Sequence, residues 1–135
     1  MGRSRYKIYE TTYPHFITCT ILHWIPIFTN KESVGIILES LKYLQKNHNL
    51  KIYAYVILEN HLHMVASSDD ITKDIARFKS FTAREIINLL KNRNMKMILD
   101  QLKFYKKAHK VDREFQLWQE GIQPKRFGQK VVCIF

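Results

Sequence analysis

The chain predicts an α+β fold, a ferredoxin-like split βαβ antiparallel sheet with helices packed on one face, in a single domain spanning 1–135. Three observations carry this expectation. Strand-like and helix-like patterns follow one another in the order strand, helix, strand, strand, helix, strand. The 135 residues are 46% hydrophobic with only four glycines and three prolines, enough for one core and without a linker to divide it. No internal repeat or low-complexity segment interrupts the order.

Each element has its own reason. Residues 15–22, HFITCTIL, are β-branched and aromatic and too short for a helix, so they read as a strand that Pro26 prevents from continuing. Thr29 and Glu32 then have capping-box spacing, and Val34, Ile37, Leu38, Leu41 and Leu44 recur at helical intervals. The run KIYAYVIL at 51–58 is apolar on both faces and predicts a central strand covered on two sides. Glu59 and Asn60 form a two-residue hairpin turn, and the next strand begins at His61. A long helix runs from about 72 to 91 behind the capping candidates Asp69 and Asp70. Ile71, Ile75, Phe78, Thr82, Ile86 and Leu89 fall on its packing side, with Lys73, Arg77, Ser80, Arg84, Asn88 and Lys91 opposite. A weaker helical pattern, MKMILDQLKFYKK, follows NRN, and EFQLWQEG at 114–121 reads as the last strand.

Charge narrows the function classes. Twenty-two Lys and Arg against 12 Asp and Glu give +10 at pH 7, which points to a polyanionic partner, nucleic acid being the commonest, or else to a basic surface kept for solubility. The stripe Lys73, Arg77, Arg84 and Lys91, with Lys79 beside it, is the candidate DNA-binding face, because phosphates space themselves along such a length of helix. Tyr53, Tyr55, Tyr105 and Trp118 are candidate surfaces for stacking unpaired bases, although each residue type is more often core. No apolar run reaches the length of a membrane span, and the polar N-terminus lacks the pattern of a secretory signal. Two cysteines, Cys19 and Cys133, do not make a disulfide framework; a reducing, prokaryotic cytoplasm fits, with nucleoid association when nucleic acid is bound.

The stretch ENHLHMV at 59–65 carries the sharpest chemistry. On a strand, residues two apart share a face, so His61 and His63 project together with Val65. Two imidazoles side by side form a bidentate site for a divalent metal whose identity a third ligand would decide. The same spacing also suits two half-exposed surface histidines. A four-ligand structural zinc site lacks a second pair elsewhere in the sequence.

The string YAYVILENHLHMVASSDD, followed by ITKDIARFKSFTAREI and FQLWQEGIQPKR, resembles the single-tyrosine HUH transposases, in particular the REP-associated tyrosine transposases. The resemblance extends from the first strand to about Arg126. Its most specific part is the hairpin with Asn and His-hydrophobic-His; FKSFTARE and Trp118-Gln119-Glu120-Gly121 are further matches. It implies a ferredoxin-like, usually dimeric protein that cuts single-stranded DNA at hairpin-flanked ends. It further implies Mg or Mn held by His61 and His63, and a tyrosine that becomes joined to the 5′ phosphate. A tyrosine is a poor nucleophile at neutral pH, so a metal polarising the phosphate would supply several kcal/mol of transition-state stabilisation.

The nucleophile departs from the pattern. The family's tyrosine follows the Trp-containing strand, and this chain has no tyrosine after Tyr105. Aligned on FGQKVVCIF, Cys133 stands in the tyrosine's place and Phe135 in that of the following His, as if the C-terminal catalytic helix were shortened. Tyr105 is the substitute candidate. The expected function is therefore a transposase-type single-strand DNA endonuclease and strand transferase, or a shortened copy that binds DNA and metal without turnover. The rivals are a non-catalytic nucleic-acid-binding module, RNA-directed for example, and a small basic ribosome-associated protein.

Overall fold

A computed structural model of the chain describes residues 13–120 and the short strand at 125–126. The sheet contains β1 (His15–Thr20), β2 (Lys51–Ile57), β3 (His61–Ser67) and β4 (Lys125–Arg126), in the spatial order β2-β3-β1-β4, and every pairing is antiparallel. The helices are α1 (Lys31–Asn47), α2 (Ile71–Asn92) and α3 (Lys96–Phe104). This is the split βαβ order the sequence predicts.

Alternation along the two inner strands creates two unlike faces. Ile17, Cys19 and Ile21 from the first strand, with Leu62, Met64 and Ala66 from β3, turn toward the helices and are fully or almost fully buried. Ile37, Leu41 and Leu44 of α1 and Ile71, Ile75, Phe78, Ile86 and Leu90 of α2 close the core over them. The helical period carries Leu90, four residues after Ile86, into the core in place of the expected Leu89. The opposite face carries Phe16, Thr18 and Thr20 directly across from Val65, His63 and His61.

Four expectations are corrected. Residues 114–120 form no ladder; they meet the first strand by an isolated bridge, Ile21 to Trp118, flanked by Leu22 N–H to Leu117 O (2.8 Å) and Gln119 N–H to Thr20 O (2.8 Å). Side chains hold this segment instead. Trp118 is 5% exposed and its Nε1–H donates to Thr82 Oγ1 at 3.0 Å, while the Gln116 amide donates to Trp118 O at 2.9 Å. Burial removes Trp118 from the stacking candidates. Second, β2 is an edge strand, not a central one. Its apolar look comes from Tyr53 and Tyr55, which are 57% and 51% exposed around a bulge between Ile52 and Ala54. Third, the cap of α1 is Asn30, whose Oδ1 accepts from Glu32 N–H at 2.9 Å; Thr29 is consumed by a 3-10 turn and donates to Pro26 O. Fourth, the stripe on α2 is less one-sided than a helical wheel suggests. Asp74 is buried and accepts from Arg77 at 2.8 Å, and Glu85 lies 3.6 Å from Arg84. At the N-terminus of α2, Asp70 caps Lys73 N–H at 3.2 Å as expected.

Among the described residues no helix is long and apolar enough to cross a membrane.

Candidate metal and strand-binding site

The hairpin between β2 and β3 is closed by Leu58 N–H to His61 O at 2.8 Å, which fixes His61 as the first residue of its strand. His61 and His63 then rise on the face opposite α1 and α2, where no helix lies among the described residues, their ring centroids 4.6 Å apart and their planes at 82°. The neighbours define which nitrogen each ring can offer. The Asn60 amide nitrogen donates to Trp24 O at 3.2 Å, so its Oδ1 is the atom facing His61, 2.7 Å from Nδ1. An oxygen acceptor there requires a proton on Nδ1, which leaves the His61 Nε2 lone pair as the ligating one. His63 Nδ1 lies 3.0 Å from Thr18 Oγ1, and its ring stacks on Phe16 with centroids 5.5 Å apart. A hydroxyl can donate or accept, so Thr18 orients the His63 ring without dictating its tautomer.

Electrostatics favours the neutral rings. Burial lowers the pKa of His61 from the usual value, and burial together with the charge of His61 lowers that of His63. Neutral imidazole is the form that binds metal. Among the described residues no group of three or more His, Cys, Asp or Glu surrounds a common point. Among the described residues the donors at this point are two imidazoles, and oxygen ligands such as water or phosphate would complete the coordination of an ion. Two nitrogens with one tautomer pinned from behind fit Mn or Mg completed by phosphate oxygens, although imidazole ranks behind oxygen for Mg.

A turn missed by the sequence reading stands beside the pair. Leu22–Trp24 forms a 3-10 turn in which His23 (φ 54°, ψ 26°) and Trp24 (φ 57°) both lie in the left-handed region. Neither is glycine or asparagine, and each such residue costs on the order of 1–3 kcal/mol. The Trp24 indole is 64% exposed and meets His61 edge-on, with centroids 6.1 Å apart. The sequence ILHWIPIF marks this turn weakly: His is among the residues enriched at positive φ, but the large Trp that follows it is not.

Tyr105 is the C-cap of α3; its ring stacks on His23 at 3.6 Å and meets Phe104 edge-on at 5.0 Å. It is thus at the same end of the sheet as His61, linked through the His23–Trp24 turn. Cys133 and Phe135 lie outside the described residues.

The basic residues sit elsewhere. Lys73, Arg77, Arg84 and Lys91 are exposed on α2, in the helix layer, so the sheet separates them from the histidine pair. Arg84 lies over the Phe81 ring at 5.3 Å and Lys91 over Phe115 at 5.4 Å. Lys79 is partly buried and donates to Gln119 O at 3.0 Å; burial lowers its pKa. With Arg84, Lys110 and Arg113 it lines an open cleft of about 560 Å³. Cys19 is fully buried among apolar groups, which pushes its thiol up to about 12 and leaves it chemically inert.

No family model matches the chain, and no curated protein matches it in sequence. Among solved structures it is similar to a REP-associated tyrosine transposase bound to a REP hairpin, with a TM-score of 0.55 and 12% identity over 86% of this chain and 56% of that one. The chain therefore spans a little over half the length of that protein, and the similarity shows a shared fold.

Proposed function

We propose that this chain binds single-stranded or hairpin DNA across the face of the sheet opposite α1 and α2, with a divalent ion, Mg or Mn, held by His61 and His63, in the manner of a transposase-type strand-cleaving domain. One observation carries the reading: Asn60 fixes the proton on His61 Nδ1 from behind, leaving its Nε2 as a ligating nitrogen beside His63 on a partly exposed face. Surface histidines without a task need no such support. The net charge of +10 and the hairpin-bound relative of the same fold support DNA as the partner. When bound, the ion would polarise a phosphodiester. The chain's own residues do the rest: Asn60 and Thr18 orient the two rings, and partial burial keeps both unprotonated. On this reading the Tyr105 hydroxyl attacks the phosphorus, its proton passes to water, the P–O bond to the 3′ oxygen breaks and that oxygen leaves as a 3′ hydroxyl, so that Tyr105 is joined to the 5′ phosphate. The homodimer that the sequence resemblance implies is part of the same proposal.

A second reading is a non-catalytic nucleic-acid-binding module, favoured by the packing of Tyr105 against His23 and Phe104. Two experiments separate the readings. Mn binding measured by electron paramagnetic resonance is expected to be lost in His61→Ala/His63→Ala while nonspecific DNA affinity changes little; equal Mn binding by that variant would remove the metal site. A labelled hairpin-flanked strand quenched in denaturant is expected to give a protein-linked product with the wild type and none with Tyr105→Phe. Absence of product from both, with DNA binding retained, would select the second reading.

A further inference from the structure

Trp24 has no packing reason to be where it is. Its ring is 64% exposed, and the backbone holds it there through two consecutive left-handed residues, one of them Trp24 itself. A glycine would adopt that backbone without strain. Strain retained at an exposed aromatic points to what the ring does outside the fold, because nothing inside the fold uses most of its surface. The turn is also anchored: the Asn60 side chain holds the Trp24 carbonyl, and the backbone N–H of Trp24 donates to Ile21 O at 3.0 Å.

The neighbours of the ring narrow its partner. It stands edge-on to His61, while the Asn60 amide holds the backbone carbonyl of the same residue. A protein-binding hot spot sits in a desolvated apolar patch, whereas this ring is 64% exposed and meets an imidazole of a basic molecule's candidate phosphate site. An aromatic face next to a phosphate-binding point is the arrangement that receives an unpaired base, since every base offers a π-face of matching size. Base stacking is also sequence-tolerant, so the ring would select unpaired over paired nucleotides without reading their identity.

We infer that Trp24 is a stacking platform for one unpaired nucleobase, placing the adjoining phosphate at His61 and His63, and so makes this end of the sheet selective for single-stranded over duplex DNA. The inference deepens the proposed function and rests on it for the position of the phosphate. The stacking itself is readable separately, because Trp24 is exposed and the molecule's other tryptophan, Trp118, is buried.

The test is anisotropy titration of a dye-labelled oligothymidylate strand and of a labelled blunt duplex of the same length, without added metal, with the indole emission of the wild type followed in parallel. The wild type is expected to show quenching of the exposed indole by the single strand. Trp24→Gly should bind the single strand about 5- to 150-fold more weakly, the range for loss of one base–aromatic stack. It should bind duplex unchanged and unfold no more easily than the wild type, because glycine relieves the turn. Trp24→Phe should retain most of the preference. Unchanged single-strand affinity in Trp24→Gly, or an equal loss for duplex, would overturn the inference. Mn binding distinguishes this from the metal reading. Intact Mn binding in Trp24→Gly with lost strand preference supports both, and lost preference in a protein whose wild type binds no Mn supports the platform alone.

Discussion

The two faces of the sheet are built by opposite rules. On the helix side, side chains from β1 and β3 interlock with α1 and α2, and Thr82 enters with partners, between Phe78 O and the Trp118 indole, whereas the buried Ser33 Oγ has none among the described residues. On the other side, the same two strands present Thr18, Thr20, His61 and His63, whose hydrogen bonds orient rings instead of filling space. One pair of strands therefore serves stability with its even-numbered β3 residues and chemistry with its odd ones. Mutations on the two faces should separate cleanly into loss of folding and loss of binding.

The largest effect tests the covered face. Phe78→Ala is expected to destabilise by about 3–5 kcal/mol, because a fully buried ring leaves a cavity that the helix layer cannot collapse into. Urea denaturation would show it as a lowered midpoint with an unchanged slope. His61→Ala/His63→Ala in the same assay should move stability by only about 0.5 kcal/mol, the range of surface changes; a loss matching Phe78→Ala would erase the contrast. Next in size, Thr82→Val leaves the buried Trp118 N–H without its acceptor and should lower stability by about 1–3 kcal/mol.

On the open face, Asn60→Ala is expected to weaken Mn binding by about 10- to 100-fold, the usual effect of losing a ligand's supporting hydrogen bond. Calorimetric titration would measure it, and an unchanged affinity would show that the tautomer needs no support. The smallest effect is one of pH. Both histidines have folded pKa values lowered below those of the unfolded chain, so the unfolded state binds more protons in the interval between. The stability they contribute is present above the unfolded value and is lost as pH falls through the folded one. Denaturation between pH 8 and pH 5 should therefore destabilise the wild type slightly more than His61→Ala/His63→Ala.

The covered face was legible from sequence because burial imposes a period. Ile71, Ile75, Phe78, Thr82 and Ile86 announce α2, and the two histidines two residues apart announce their common face. What escaped depends on contacts between distant segments. The Asn60 turn was visible, but its amide's grip on Trp24 was not, because the two residues are joined only in the folded chain. Edge position also left no mark: KIYAYVIL looks doubly covered because tyrosines count as apolar, yet both are half in water. The segment 114–120 misled for the reverse reason. Gln116, Leu117 and Trp118 are buried one after another, and Trp118 and Gln116 are held by side-chain anchoring and not by a ladder. The basic residues lie exposed on α2, and their position relative to the histidines, with the sheet between them, depends on the folded chain.

The bridge between Ile21 and Trp118 joins positions nearly a hundred apart, and its flanking bonds fall on Thr20 and Leu22. Contacts of such long sequence separation carry a large loop-closure entropy and are slow to form. The hairpin between β2 and β3 closes locally, so His61 and His63 can be neighbours early in folding. The turn that begins at Leu22 is clasped only when the far end of the chain arrives, so the finished arrangement of Trp24 against His61 reports complete folding.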